Sequence, residues 1–503
     1  MPQSYIKKIL NASVYDVAIE TPVQPARFLS ERLDNKVLIK REDLQPVFSF
    51  KIRGAYNKLR SLTEAERNQG VVAASAGNHA QGLALSAQQL NCKATIVMPR
   101  TTPLIKVDAV RAWGAKVVLK GDTYDEASSY AQALVKEKGM TYIHPYDDPE
   151  VIAGQGTIAM EILRQIPEDI EAIFIPVGGG GLAAGMATYI KYLRPDIKVI
   201  AVEPEDAACL KAALDNQRRV TLPQVGIFAD GVAVAQIGKE TYRLLKDTVD
   251  EVITANTDEM CAAVKDIFED TRSISEPAGA LSVAGLKKYA QQKGLKGKTL
   301  IAIESGANTN FDRLRYISER TEFGENREAI LSVAIAEKPG SFKKFCAAIG
   351  KRNITEFNYR FSAAGMARIF VGLQVKNDED RFDIIKKLQE KGYDLDDMTQ
   401  NEMAKMHVRY MVGGHAPQID DEVVYSFEFP ERPGALMNFL NELGQHWNIS
   451  MFHYRNHGAA FGRVIAGLQV PKNERKAIVP ILKKLDYVFK DESDNLAYQH
   501  FLS

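Results

Sequence analysis

Short apolar runs alternate with stretches of helical periodicity through roughly the first 320 residues. Val71-Val72-Ala73-Ala74 reads as a buried strand, and a helix follows from about His79. Ala94–Met98, Lys116–Leu119, Ala172–Val177, Val199–Val202 and Leu300–Ile303 repeat the pattern. Strands spaced by helical segments of about 10–15 residues make βαβ units, and so predict an α/β domain built on parallel sheets. Ligands bind such sheets at the carboxyl ends of strands, where loops open into helices.

Around Thr321-Glu322-Phe323-Gly324-Glu325-Asn326-Arg327-Glu328 the composition turns polar, and a domain boundary is expected there. An internal repeat follows. Glu337-Lys338-Pro339-Gly340-Ser341-Phe342 matches Glu431-Arg432-Pro433-Gly434-Ala435-Leu436, and Asn353-Ile354-Thr355 matches Asn448-Ile449-Ser450. Phe357-Asn358-Tyr359-Arg360 matches Phe452-His453-Tyr454-Arg455, and Arg368–Val375 matches Arg463–Val470. The offset is 94 residues at the prolines and 95 afterwards, so one insertion separates the copies. Each copy reads strand, Pro-Gly turn, helix, strand, strand and second helix (Asp380–Lys391; Asn473–Leu485), the ferredoxin-like α+β plan. The expected domains are 1–320, 328–401 and 422–494.

Composition narrows the partners. With 64 basic and 64 acidic residues among 503 the formal net charge is zero, which excludes broad electrostatic binding to nucleic acid or to an anionic membrane. No apolar run reaches the roughly eighteen residues of a membrane span, and the first residues lack a signal-peptide core. Cys92, Cys209, Cys261 and Cys346 are scattered without metal-ligand spacing, as in a reduced, cytoplasmic protein. His453 and His457 have helical spacing, but Gly458 follows and no acidic ligand is near, so no metal is expected.

Four segments carry candidate chemistry. Lys51 lies between Phe50 and Ile52; burial there would lower its pKa and make the amine nucleophilic, although a lone lysine is more often exposed. Ser75-Ala76-Gly77-Asn78-His79-Ala80-Gln81-Gly82 follows a strand, and its small residues let backbone N–H groups face a carboxylate at a helix start. Asn78 has the chemistry to bond a phenolic oxygen, or simply to cap the helix. Gly178, Gly179, Gly180 and Gly181, followed by Leu182, form a backbone cradle for phosphate. A dinucleotide site competes for that run, because Glu203 ends the next strand, but the G-x-G-x-x-G spacing is not cleanly met. Ser305, in Glu304-Ser305-Gly306-Ala307-Asn308, offers a neutral hydroxyl to a ring nitrogen. Glu276, before Pro277-Ala278-Gly279, reads as structural rather than as a cation ligand. Together, the four segments meet the needs of pyridoxal 5'-phosphate: a Schiff-base lysine, a phosphate cradle, and partners for the phenolic oxygen and the ring nitrogen.

These segments resemble the fold-type II (tryptophan-synthase β-like) pyridoxal-phosphate enzymes. The Ser-Phe-Lys-Ile-Arg-Gly-Ala and Ser-Ala-Gly-Asn-His-Ala-Gln-Gly forms resemble their serine/threonine dehydratase branch, and the C-terminal repeat resembles the paired ACT-like regulatory domains of the biosynthetic threonine dehydratases. The resemblance implies deamination of L-threonine to 2-oxobutanoate, with L-serine also accepted, in a homotetramer inhibited by isoleucine and relieved by valine. Lys51 is then both cofactor anchor and base, Phe50 packs beside the cofactor, and Ser75, Ala76, Gly77 and His79 hold the substrate carboxylate. A serine at 305 leaves the ring nitrogen neutral, which favours rapid loss of the β-hydroxyl over transamination. Tyr359 and Tyr454, matched in the repeat, are the effector-site candidates. Serine dehydratase, serine racemase and threonine synthase are the alternatives within the same fold.

Overall fold

The computed structural model describes residues 2–324, 327–336, 341–350, 352, 354–359, 366–410, 421–430, 438–439, 442–443, 447–455 and 461–502. It divides into two compact units, 1–318 and 319–503.

The first unit contains two sheets. The larger runs Val23–Pro25, Lys36–Arg41, Thr299–Glu304, Ala172–Pro176, Lys198–Pro204 and Glu251–Ala255, parallel except for its first strand. The smaller is fully parallel: Lys116–Leu119, Ala94–Met98, Val71–Ala74 and Thr141–Tyr142. Alternation along the central strands feeds two cores. Ile173, Ile175, Ile301 and Ile303 face one helical layer, and Ala172, Phe174, Leu300 and Ala302 face the other. Lys36–Arg41 escapes apolar pattern reading because it buries Lys40 and Arg41.

The helix Pro149–Gln165 links the elements that matter for the site. Its Gly154 lies against the helix Lys51–Ser61: a Cβ at 154 would stand 2.7 Å from the Arg53 carbonyl oxygen. On its other side Gly185 of the helix Gly181–Leu193 approaches so closely that a Cβ there would stand 2.3 Å from the Ile152 oxygen. Missing side chains thus set the spacing of three helices, two of which begin at candidate site residues.

That helix also carries Glu161, one of four charges with no exposed side-chain surface. Arg53 pairs with Glu42 at 2.8 Å and with Glu161 at 2.5 Å, and Lys40 pairs with Glu161 at 2.6 Å. Two cations balance two carboxylates, and Thr21 and Thr157 add hydrogen bonds. The arginine two residues past Lys51 is therefore a structural anchor for the Lys51 helix.

The second unit holds two four-stranded antiparallel sheets. One runs Ile354–Tyr359, Met366–Gln374, Glu328–Ala336 and Leu395–Asp397; the other runs Asn448–Arg455, Phe461–Gln469, Glu422–Pro430 and Val488–Asp491. Both show the ferredoxin-like order expected from the repeat. The copies agree down to a register shift, between Ile354 and Glu356 in one and between Ile449 and Met451 in the other. Ile330 and Phe370 pack in one cluster with Val424 and Ile465, joining the two sheets. Short helices Glu402–Met406 and Leu496–Phe501 extend each copy beyond the residues expected from sequence, and their caps Asn401 and Asn495 bond each other at 3.1 Å. Among the described residues no helix is long and apolar enough to cross a membrane.

Arg53→Met should strand Glu42 and Glu161 against Lys40 alone and lower the stability of the first unit by about 3–5 kcal/mol. Urea unfolding measures this; a loss under about 1 kcal/mol would show the network to be dispensable.

Candidate active site

Lys51 opens its helix, and the chain before it is stapled to the end of the central strand. Phe50 N–H donates to the Ser305 oxygen at 3.2 Å, Ala307 N–H donates to the Phe48 oxygen at 2.9 Å, and Ser49 bridges Gly306. Phe48 takes a φ of +55°, a costly conformation for an aromatic residue that this staple holds in place. Lys51 and Ser305, 254 residues apart in sequence, are therefore adjacent in the fold.

Phe50, Lys51, Asn78, Gly178, Gly179, Gly180, Gly181, Leu182 and Ser305 line one cleft of about 430 Å³, part of it open to solvent. Lys51 Nζ donates to the Pro145 oxygen at 3.0 Å. Removal from water pulls its pKa down to about 8, with the Glu276 carboxylate opposing.

The glycine run meets the cleft as bare backbone. A Cβ at Gly178 would lie 2.8 Å from Val232 Cα, and one at Gly179 would lie 2.3 Å from the Tyr146 ring. Gly180 adopts φ +91° before the helix begins. The carbonyl oxygen of Gly178 accepts from Cys209 Sγ, and that of Gly179 from Thr241 Oγ1. The first N–H groups of the helix have no intrahelical acceptor, which makes its start an anion site.

The 75–79 turn divides. Asn78 lines the cleft, whereas Ser75, Ala76, Gly77 and His79 are not among the residues lining it. Ser75, Ala76 and Gly77 are half-buried beside it. His79 is buried, with Nε2 donating to the Ile143 oxygen at 3.0 Å. Burial, and then the Lys51 charge, pull its pKa to about 3, so its ring is neutral and only its backbone serves the turn. Asn78 does not cap the helix; Gly77 holds that position and no side chain caps it.

Glu203 does not face the cleft as a ribose-binding acid would. It is buried, accepts from the N–H groups of Leu210 and Lys211 at 2.7 and 2.8 Å, and so ties down the start of the helix Cys209–Asp215. Glu276 is also better placed than sequence reading suggested: it lines the cleft and accepts from Asn78 Nδ2. Burial, and then the Asp230 charge, raise its pKa to about 7. Pro176, Tyr146, Gly231, Val232 and Ala278 complete the walls, the last from the first turn of the helix Pro277–Lys293.

Residues 14–306 match the pyridoxal-phosphate dependent enzyme family, and residues 319–408 and 413–502 each match the C-terminal regulatory domain of threonine dehydratase. The chain is 54% identical over 502 residues to a biosynthetic L-threonine dehydratase of Burkholderia multivorans, covering 99% of both chains. It is 53% identical over 500 residues to that of Escherichia coli, covering 99% of this chain and 97% of the relative. The chain belongs to the biosynthetic threonine dehydratase family.

As a threonine dehydratase it is a pyridoxal-phosphate-dependent ammonia-lyase with a fold-type II catalytic domain followed by two regulatory domains. The solved processed form of threonine deaminase isoform 2 from Solanum lycopersicum is 50% identical, with a TM-score of 0.62 over 63% of this chain and 93% of that one. In the regulatory domains of this dehydratase the backbones of Tyr359 and Tyr454 pair with Ile369 and Val464, at equivalent places in the two copies. Their side chains lie outside the described residues.

In the cofactor-free protein, labelling of Lys51 by a small amine-reactive reagent should rise with a midpoint near pH 8. Peptide mass mapping across pH reads this; a midpoint near 10.5, the ordinary lysine value, would contradict a desolvated amine.

Proposed function

We propose that this chain converts L-threonine to 2-oxobutanoate and ammonia, the committed step towards isoleucine, with pyridoxal phosphate held at Lys51. Residues 1–320 catalyse, and residues 328–401 and 422–494 make the reaction sensitive to isoleucine as inhibitor and valine as activator. The enzyme works as a cytoplasmic homotetramer. The observation that carries the catalytic reading is the convergence of Lys51, Asn78, the glycine run and Ser305 on one cleft.

The residues present suit the cofactor. Gly178 to Gly181 are bare backbone where a Cβ would collide with Val232, Tyr146 or Ile237, and with Leu182 they offer N–H groups that complement the charge of a phosphate. Ser305, buried at the strand end, presents an uncharged hydroxyl to the ring nitrogen, and Asn78 presents an amide to the phenolic oxygen. Phe50 borders the ring. When bound, the cofactor supplies an electron-withdrawing ring conjugated to the substrate Cα.

Lys51 Nζ is the base that removes the Cα proton, a role suited to an amine whose pKa lies near 8. The backbone of Ser75, Ala76, Gly77 and His79, at the start of the helix Asn78–Gln89, holds the substrate carboxylate. L-serine turns over as well, because one missing methyl costs only about 1–3 kcal/mol of binding in an apolar pocket. Tyr359 and Tyr454, on equivalent strands, are the effector contacts.

Lys51→Ala should abolish the visible absorbance of the holoenzyme and lower kcat by at least about 10²-fold. A variant that keeps the wild-type band would refute the assignment. A chain ending at residue 325 should keep threonine turnover while isoleucine and valine no longer change the rate. An oxoacid assay with both effectors, on a truncated protein checked for folding, decides; isoleucine inhibition that persists would move regulation out of the repeat.

A further inference from the structure

Asn308 has no part in the roles above, yet its hydrogen bonds decide how Asn78 faces the cleft. Asn308 Nδ2 donates to the Val47 oxygen at 2.8 Å and to Asn78 Oδ1 at 2.6 Å. A backbone carbonyl only accepts, so the Asn308 amide cannot turn over without setting oxygen against oxygen. Asn78 must therefore present Oδ1 to Asn308, which places its Nδ2 against Glu276 Oε1 at 2.5 Å. One N–H of Asn78 is spent on Glu276, and the second remains for the cleft that Asn78 lines. Two glycines make room: a Cβ at Gly306 would lie 2.8 Å from Glu276 Oε1, and one at Gly231 would lie 2.9 Å from Ala278 Cβ and 3.6 Å from that same oxygen.

We propose that Glu276 and Asn308 are positioning residues, and that the relay from the Val47 carbonyl through Asn308 and Asn78 to Glu276 locks the Asn78 amide with one N–H aimed at the phenolic oxygen of the cofactor. This inference rests on the proposed placement of the cofactor in the cleft. The relay needs a hydrogen-bond acceptor at 276, not a negative charge, and an uncharged donor at 308. Those requirements separate it from a purely electrostatic role of Glu276 beside Lys51.

The test titrates cofactor-free wild type, Glu276→Gln, Glu276→Leu and Asn308→Leu with pyridoxal phosphate, reading the dissociation constant and the visible band, with folding checked by circular dichroism. Glu276→Gln, which keeps an acceptor oxygen, should bind within about twofold of wild type, whereas Glu276→Leu and Asn308→Leu should each bind about tenfold more weakly and shift the band alike. If Asn308→Leu behaves as wild type, or if Glu276→Gln loses as much as Glu276→Leu, the relay is overturned. Should Asn308→Leu fail to fold, the two Glu276 variants decide by the same criterion. A wild type that binds no cofactor, or a Lys51→Ala protein that keeps the band, would refute the cofactor placement itself, whatever the relay variants do.

Discussion

Partial withdrawal of one amine from water is the constraint on which the site depends. Lys51 has its pKa lowered to about 8 because its head group sits in a cleft walled by Phe50, Tyr146, Val232 and Leu182. An exposed lysine would leave a far smaller fraction of free amine at neutral pH to attack a carbonyl or take a proton. A desolvated lysine costs stability, and the surrounding structure offsets that cost. The Lys51 helix is packed through Gly154, anchored by the buried Arg53 network, and its approach is stapled to residues 305–307.

The same elements bring the other groups to Lys51. The helix Pro149–Gln165 touches the Lys51 helix on one side and the glycine-run helix on the other, so the spacing between amine and glycine run is set by glycine contacts. The central strand Thr299–Glu304 delivers Ser305, and the smaller sheet delivers Asn78 from the end of Val71–Ala74. Carboxyl ends from two sheets thus meet over one cleft. Glu276 adds a carboxyl whose own pKa is raised to about 7, so near neutrality it opposes the Lys51 shift only in part.

The legible part of this arrangement was the part written as contiguous motif. The Lys51 run, the glycine run and Ser305 each stand at the boundary of an element, and the repeat announced both regulatory domains through matched Pro-Gly turns. The strand Lys36–Arg41 stayed hidden because buried, paired charges read as surface. Tyr146, Gly231 and Val232 reach the cleft from connecting segments whose residue types signal nothing locally, and Glu276 reads as structural in sequence because its partner Asn78 is 198 residues away. Glu203, at the right distance from the glycine run for a dinucleotide site, turned out to be capping a helix, a role that no spacing rule separates from ribose binding.

The most direct test of a cofactor-anchoring Lys51 is chemical. Purified protein incubated with pyridoxal phosphate, reduced with borohydride and digested should carry a pyridoxyl mark on the peptide containing Lys51. A mark confined to any other lysine, or none at all on folded protein, would contradict the desolvated amine as the centre of the site.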